Sequence, residues 1–152
     1  MAKLVFLGGT AANNEWRHGF MNRLVGRGVE LKQLFNPVVK DWNAAAQAKE
    51  EAAKRDASYQ IYYLAAPMQD GNPLSAYSMV EATMALYDKP KTTVIVFDTS
   101  GMEGHALKAM KQTEKVLRVR HPNAKIFGTS KDAEDWLVGQ LTGGIFTRLF
   151  AA

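Results

Sequence analysis

The sequence predicts a doubly wound α/β fold, a five-stranded parallel sheet of order 2-1-3-4-5 with helices on both faces, Rossmann- or flavodoxin-like. Three observations lead there. Short apolar runs alternate with longer helix-forming segments along all 152 residues. One run, "TTVIVFD", reads as a fully buried strand. The 47% hydrophobic and 22% charged composition is that of an ordinary globular chain, and the length suits a single domain over 1–152 that buries roughly two thirds of its unfolded surface. Strands that alternate with helices need right-handed crossovers, and these cover both sheet faces. In the order 2-1-3-4-5 the ligand crevice lies at the carboxyl ends of strands 1 and 3, where the winding reverses.

Taken in order, "KLVFLGG" is a strand ending in glycines, and "NEWRHGFMNRLVGRG" carries Trp16, Phe20 and Leu24 at helical spacing behind the N-cap candidates Asn13 and Asn14. "LKQLFNP" is a second strand stopped by Pro37, and "NAAAQAKEEAAKRDAS" is rich in helix formers. "YQIYYLAAP" is aromatic and β-branched enough for a buried strand, and "MQDGNPL" leads from it into the helix "SAYSMVEATMALYD". After "TTVIVFD" and "TSGMEG" comes a long helix through Val119. "AKIFGT" is a short fifth strand, and "SKDAEDWLVGQL" a last helix that Ser130 can cap.

Several functional classes fall away on composition. With no cysteine and three histidines that share no ligand spacing, neither thiolate catalysis nor a zinc site is expected, and no metal or cofactor is called for. No apolar run reaches the roughly 18 residues of a membrane span, and "MAKLVFLGGT" lacks a signal-peptide core, so a cytoplasmic protein without membrane association is expected. The net charge of +4 includes a helical face of Lys108, Lys111, Lys115 and Arg118. No aromatic residues interleave with these cations as a stacking platform requires, so they read as a solvated surface and nucleic acid is not an expected partner.

The crevice predicted by the strand order collects particular residues. Gly8 and Gly9 end strand 1, and "GGT" fits a ligand cradle and an ordinary tight turn equally, being neither a dinucleotide fingerprint nor a P-loop. Glu81 lies early in the helix after strand 3. Ser78 through Glu81 fits a capping box, with Ser78 as N-cap. If Ser75 is the cap instead, Glu81 is too deep to close a box, and Tyr77, Met84 and Ala85 give it a largely apolar face on which a carboxylate needs a partner or a purpose. Asp56 closes the helix before strand 3; on position alone it is a solvent-facing aspartate.

"FLGGT", Trp16-Arg17, "FNPVVKDW", "RDASYQIYYLAAP" and "SAYSMVEA" together resemble the nucleoside 2-deoxyribosyltransferase-like family, within a superfamily of N-glycosidic-bond enzymes that includes nucleotide hydrolases. The resemblance implies that Glu81 is a nucleophile and Asp56 an assisting active-site aspartate. It implies that Gly8, Gly9 and Asn36 line the substrate pocket. Where well-studied transferases carry a base-reading aspartate, this chain has Ser75. That is similar to the nucleotide hydrolases, whose hydroxyls hold a 5′-phosphate, a part open to Ser75 and Ser78. The implied activity is transfer of the sugar of a 2′-deoxynucleoside to another base through a covalent glycosyl-glutamate, with hydrolysis of a nucleoside or 5′-monophosphate nucleotide, or plain nucleotide binding, as alternatives. The family also implies a homo-oligomer. Ile145, Phe146, Leu149 and Phe150 in the C-terminal "TGGIFTRLFAA" either bury against another subunit or pack on the last helix.

Overall fold

The structure, a computed structural model, describes residues 2–10, 15–66 and 76–143. Five strands alternate with helices: β1 (Val5–Gly9), α1 (Glu15–Gly26), a 3-10 turn (Leu31–Gln33), β2 (Leu34–Phe35), α2 (Ala44–Asp56), β3 (Tyr59–Ala65), α3 (Ala76–Asp88), β4 (Thr93–Asp98), α4 (Gly104–Arg120), β5 (Lys125–Phe127) and α5 (Ser130–Leu141). All pairings are parallel and the order is β2-β1-β3-β4-β5, the doubly wound arrangement expected of the alternation.

Side chains that alternate along each strand divide the core in two. Val5, Leu7, Ile61 and Val94 meet Phe20 and Leu24 of α1 and Leu137 of α5 on one face. Phe6, Tyr62, Ile95 and Phe97 meet Ala53 of α2, Leu86 of α3 and Leu117 of α4 on the other. Both faces are covered, which is why β3 and β4 read as near-continuous apolar runs.

The caps correct the sequence reading in two places. Thr129, not Ser130, is the N-cap of α5, its hydroxyl accepting from the Asp132 amide. Ser78 lies inside α3, which begins at Ala76, so the Ser78–Glu81 box does not form. The backbone there is already helical, and an N-cap requires an extended residue ahead of the first turn. Asn43 does cap α2, accepting from Ala46. Asn13, Asn14, Ser75 and the apolar C-terminal residues lie outside the described residues.

The carboxyl end of β1 is held by one buried side chain. Arg17, 1% exposed, donates from Nε to the Leu7 carbonyl at 2.9 Å, from Nη2 to Gly9 and from Nη1 to Thr10, both at 3.0 Å. Gly9 itself admits no side chain. Its φ is +116°, and a Cβ would lie 2.2 Å from the Tyr63 carbonyl oxygen. Gly9→Ala is therefore expected to destabilise the fold by roughly 3 kcal/mol, from backbone strain and the clash together. Urea unfolding followed by circular dichroism measures it; a loss well below 1 kcal/mol would mean that the β1–β3 junction yields easily.

Candidate functional site

Glu81 lies in the second turn of α3, where the helix passes β1 and β3. Its neighbours on α3 fix its direction: Ser78, Ala82 and Ala85 are buried against the sheet, which leaves Glu81 on the flank turned towards α2. Lys54 of α2 reaches across and forms an ion pair with the Glu81 carboxylate. The same ammonium pairs with buried Glu50 at 2.7 Å, one turn back on its own helix, and lies 5.5 Å from the Phe6 ring centre. One cation is thus shared by these two carboxylates, with exposed Glu51 a third and looser partner at 3.5 Å.

Beside this group is a cavity of about 250 Å³, lined by Gly8 and Gly9 from β1, Arg17, Pro37 to Val39, Trp42, Glu50, Tyr77, Ser78 and Glu81. It occupies the crevice that the strand order requires. A second groove, about 340 Å³, runs between α2 and α3 on the other side of Glu81 and has Gln60, Tyr62 and Met84 in its wall. Glu81 and Tyr77 border both.

The charges are balanced within a desolvated cluster. Burial pushes the pKa of Glu81 above its ordinary carboxylate value, overcoming the hydrogen bond and attraction from Lys54. For Lys54 burial works in the opposite sense, but Glu50 and Glu81 outweigh it and its pKa is raised. Arg17 is brought down to about 10 by burial, with the fields of Glu50 and Glu81 resisting, and stays charged at neutral pH. Tyr77, one turn before Glu81, borders both cavities with it. The cluster holds Glu81 as an oriented anion whose basicity exceeds that of a free glutamate.

The residues singled out in the sequence divide as follows. Gly8, Gly9, Ser78 and Glu81 come together at the cavity. The glycines also have a packing reason, since a Cβ on Gly8 would lie 2.6 Å from the Tyr62 ring. Asn36 is not a wall residue; its Oδ1 accepts from Val38 and shapes the loop whose Pro37 to Val39 are. Asp56 is not brought to the cavity. It is exposed at the last residue of α2, paired with adjacent Arg55 at 3.0 Å, and borders neither cavity. The reason is topological: Asp56 precedes β3 while the crevice follows it, and seven strand residues span about 20 Å. Among the aromatic residues of these elements, Trp42 reaches the cavity, Tyr62 faces the second groove with its hydroxyl on Gln60, and Tyr63 stacks on Trp16 on the other face of the sheet at 4.7 Å.

Lys54 and Glu50 were missed. Their i, i+4 spacing, glutamate first, is the pattern of a solvent-exposed helix pair. The available signal was that Glu50, Ala53 and Ala57 fall on one face of α2, where burial makes an ion pair consequential. No protein-family model matches this chain, and no curated protein matches it. Among the described residues no helix is long and apolar enough to cross a membrane.

Lys54→Met leaves the partly buried Glu81 without its cation and is expected to raise the Glu81 pKa further. Carboxyl-carbon NMR titration, with Glu81→Gln to assign the resonance, reads the shift. An unchanged or lower value would mean that Lys54 does not pair with Glu81 in solution.

Proposed function

We propose that the chain is an enzyme of N-glycosidic bonds, related to the nucleoside 2-deoxyribosyltransferases, that uses Glu81 to displace the base of a 2′-deoxynucleoside or its nucleotide. The observation that carries this reading is the placement of Glu81: a carboxylate at the mouth of the doubly wound crevice, partly buried, paired with Lys54, and adjoining a cavity floored by Gly8 and Gly9. At about 250 Å³ the cavity is below the roughly 300 Å³ where drug-sized sites begin, which suits one compact nucleoside better than a dinucleotide.

In the reaction, a Glu81 oxygen attacks C1′ as the C1′–N bond breaks and its electron pair leaves with the base. The carboxylate first stabilises the positive charge that develops on the sugar and then captures it as an ester. A nitrogen of an incoming base attacks C1′ from the vacated side, expels the carboxylate and completes transfer with retention; water in its place gives hydrolysis. Asp56 is too far away to assist. The departing base takes its proton from water at the open mouth. Trp42 and Pro37 supply apolar surface for a base, and Ser78 a hydroxyl beside the sugar.

Incubation of the protein with 2′-deoxynucleosides and their 5′-monophosphates, with and without a free acceptor base, is expected to yield a new nucleoside only when acceptor is present. Free base with deoxyribose or its phosphate, irrespective of acceptor, would assign the hydrolytic alternative. Glu81→Gln should lower turnover on the order of 10³-fold or more, as removal of a covalent nucleophile does. A 2-fluoro-arabinosyl nucleoside should leave a sugar adduct on the Glu81 peptide by mass spectrometry. Full activity in Glu81→Gln would overturn the reading.

The pH profile follows from the sign of the shift. Only ionised Glu81 is nucleophilic, and its pKa is raised, so kcat/KM should fall with decreasing pH along a limb that lies above the ordinary carboxylate range. Lys54→Met should move that limb upward. A limb below that of a free glutamate would require a different group as nucleophile.

A further inference from the structure

The crevice holds a second carboxylate. Glu50 of α2 lines the same cavity as Glu81 and is 8% exposed. It falls with Ala53 on the buried face of α2, so the position of its carboxyl group is fixed by helix packing rather than by a loop. Lys54 engages Oε1 of both carboxylates, at 2.7 Å for Glu50. Two oxygens bound to one ammonium lie within roughly 6 Å of each other. That is close to the roughly 5 to 5.5 Å between the paired carboxyl groups of enzymes that exchange a glycosidic bond with retention.

We propose that Glu50 is the general base that activates the incoming acceptor in the second half of the reaction. The proposal rests on the enzymatic reading of Glu81 and adds a residue to it. Once Glu81 is esterified, Glu50 is the one carboxylate left among the described residues of the cavity wall, which include no histidine. As the carboxylate partner of Lys54 it can accept a proton, and it engages the ammonium through Oε1, with Oε2 outside that pair. The N–H proton of the acceptor base passes to Glu50, the electron pair left on nitrogen forms the bond to C1′, and the pair of the C1′–O bond returns to Glu81 as its carboxylate. With water as acceptor, an O–H proton takes the same route. Negative charge moves from Glu50 to Glu81 within the step, so Lys54 has an anion beside it throughout. Glu50 gives its proton to water before the next cycle.

Rapid-quench analysis of Glu50→Gln, with a 2′-deoxynucleoside that the wild-type protein turns over, follows base release and the sugar adduct on Glu81 separately. Loss of the general base should leave a burst of about one free base per chain, then a steady rate lowered about 10²- to 10⁴-fold while the adduct accumulates. Azide has no proton to give up and should bypass Glu50. It is expected to raise the steady rate of Glu50→Gln by about tenfold or more, yielding the deoxyribosyl azide, and to leave the wild type unchanged. Glu50→Asp keeps the charge beside Lys54 and Arg17 but draws the carboxylate back by one methylene. It too should accumulate the adduct, which separates loss of the base from loss of charge. A residue that only balances charge would slow adduct formation as well, show no burst and gain nothing from azide. That outcome, or wild-type decay of the adduct in Glu50→Gln, would overturn the proposal while leaving the wild-type adduct, and with it the role of Glu81, in place. A wild-type protein that forms no adduct would instead remove the enzymatic reading and the part of Glu50 together.

Discussion

The buried guanidinium of Arg17 is the constraint around which the crevice is built. Strand β1 ends in two glycines, which bring no side chains to hold the chain in place, and Arg17 compensates by binding the carbonyls of Leu7, Gly9 and Thr10. A charge so deeply placed costs several kcal/mol unless its donors are used and its field is answered. The carbonyls use the donors. Glu50 and Glu81 answer the field, and that requirement accounts for carboxylates being tolerated beneath an otherwise apolar face. Thr10 completes the junction, its amide donating to the Tyr63 carbonyl at 3.0 Å.

Arg17 and Lys54 thus stand against Glu50 and Glu81, two charges of each sign in one desolvated region. In the proposed reaction, esterification of Glu81 removes one negative charge and leaves an excess positive charge beside the cavity. That excess favours a departing base carrying negative charge, which offers a reason for the chemistry to manage without a nearby acid. Glu50 keeps Lys54 paired while Glu81 is esterified, so the cation is not stranded in the interior. When the sugar departs, the carboxylate returns to an ammonium still in position. The geometry needed at the start of the next cycle is conserved through the one before.

The fold was legible because its determinants are local: apolar runs of strand length, helix formers between them, and turn residues at the joins. The doubly wound order followed from right-handed crossovers together with the commonest arrangement of five parallel strands. Individual sites were less so. Glu81 could be singled out because a carboxylate on an apolar helical face conflicts with its surroundings, and Gly8 and Gly9 because the crevice must lie at the end of β1. Asp56 was singled out by the resemblance alone; its position ahead of β3 read as solvent-facing, and it is exposed there, paired with Arg55. Lys54 and Glu50 escaped notice because ion pairs one turn apart are common on exposed helices, and only the packing of α2 on the sheet reveals that this pair is buried. The capping box at Ser78 failed through a shift of helix start, a boundary that side-chain pattern sets poorly.

Helix α3 uses its circumference three ways, and the periodicity keeps the uses apart. Ala82, Ala85 and Leu86 are small or slender enough to seat the helix closely on β1, β3 and β4; that close seating brings Glu81 within reach of a lysine on the neighbouring helix. Tyr77 stands at the boundary, bordering the cavities beside Glu81 on one side and exposed to solvent on the other. Val80 and Met84 share with Lys54 and Glu81 the groove between α2 and α3, so the ion pair has apolar side chains beside it on the helix that carries the carboxylate.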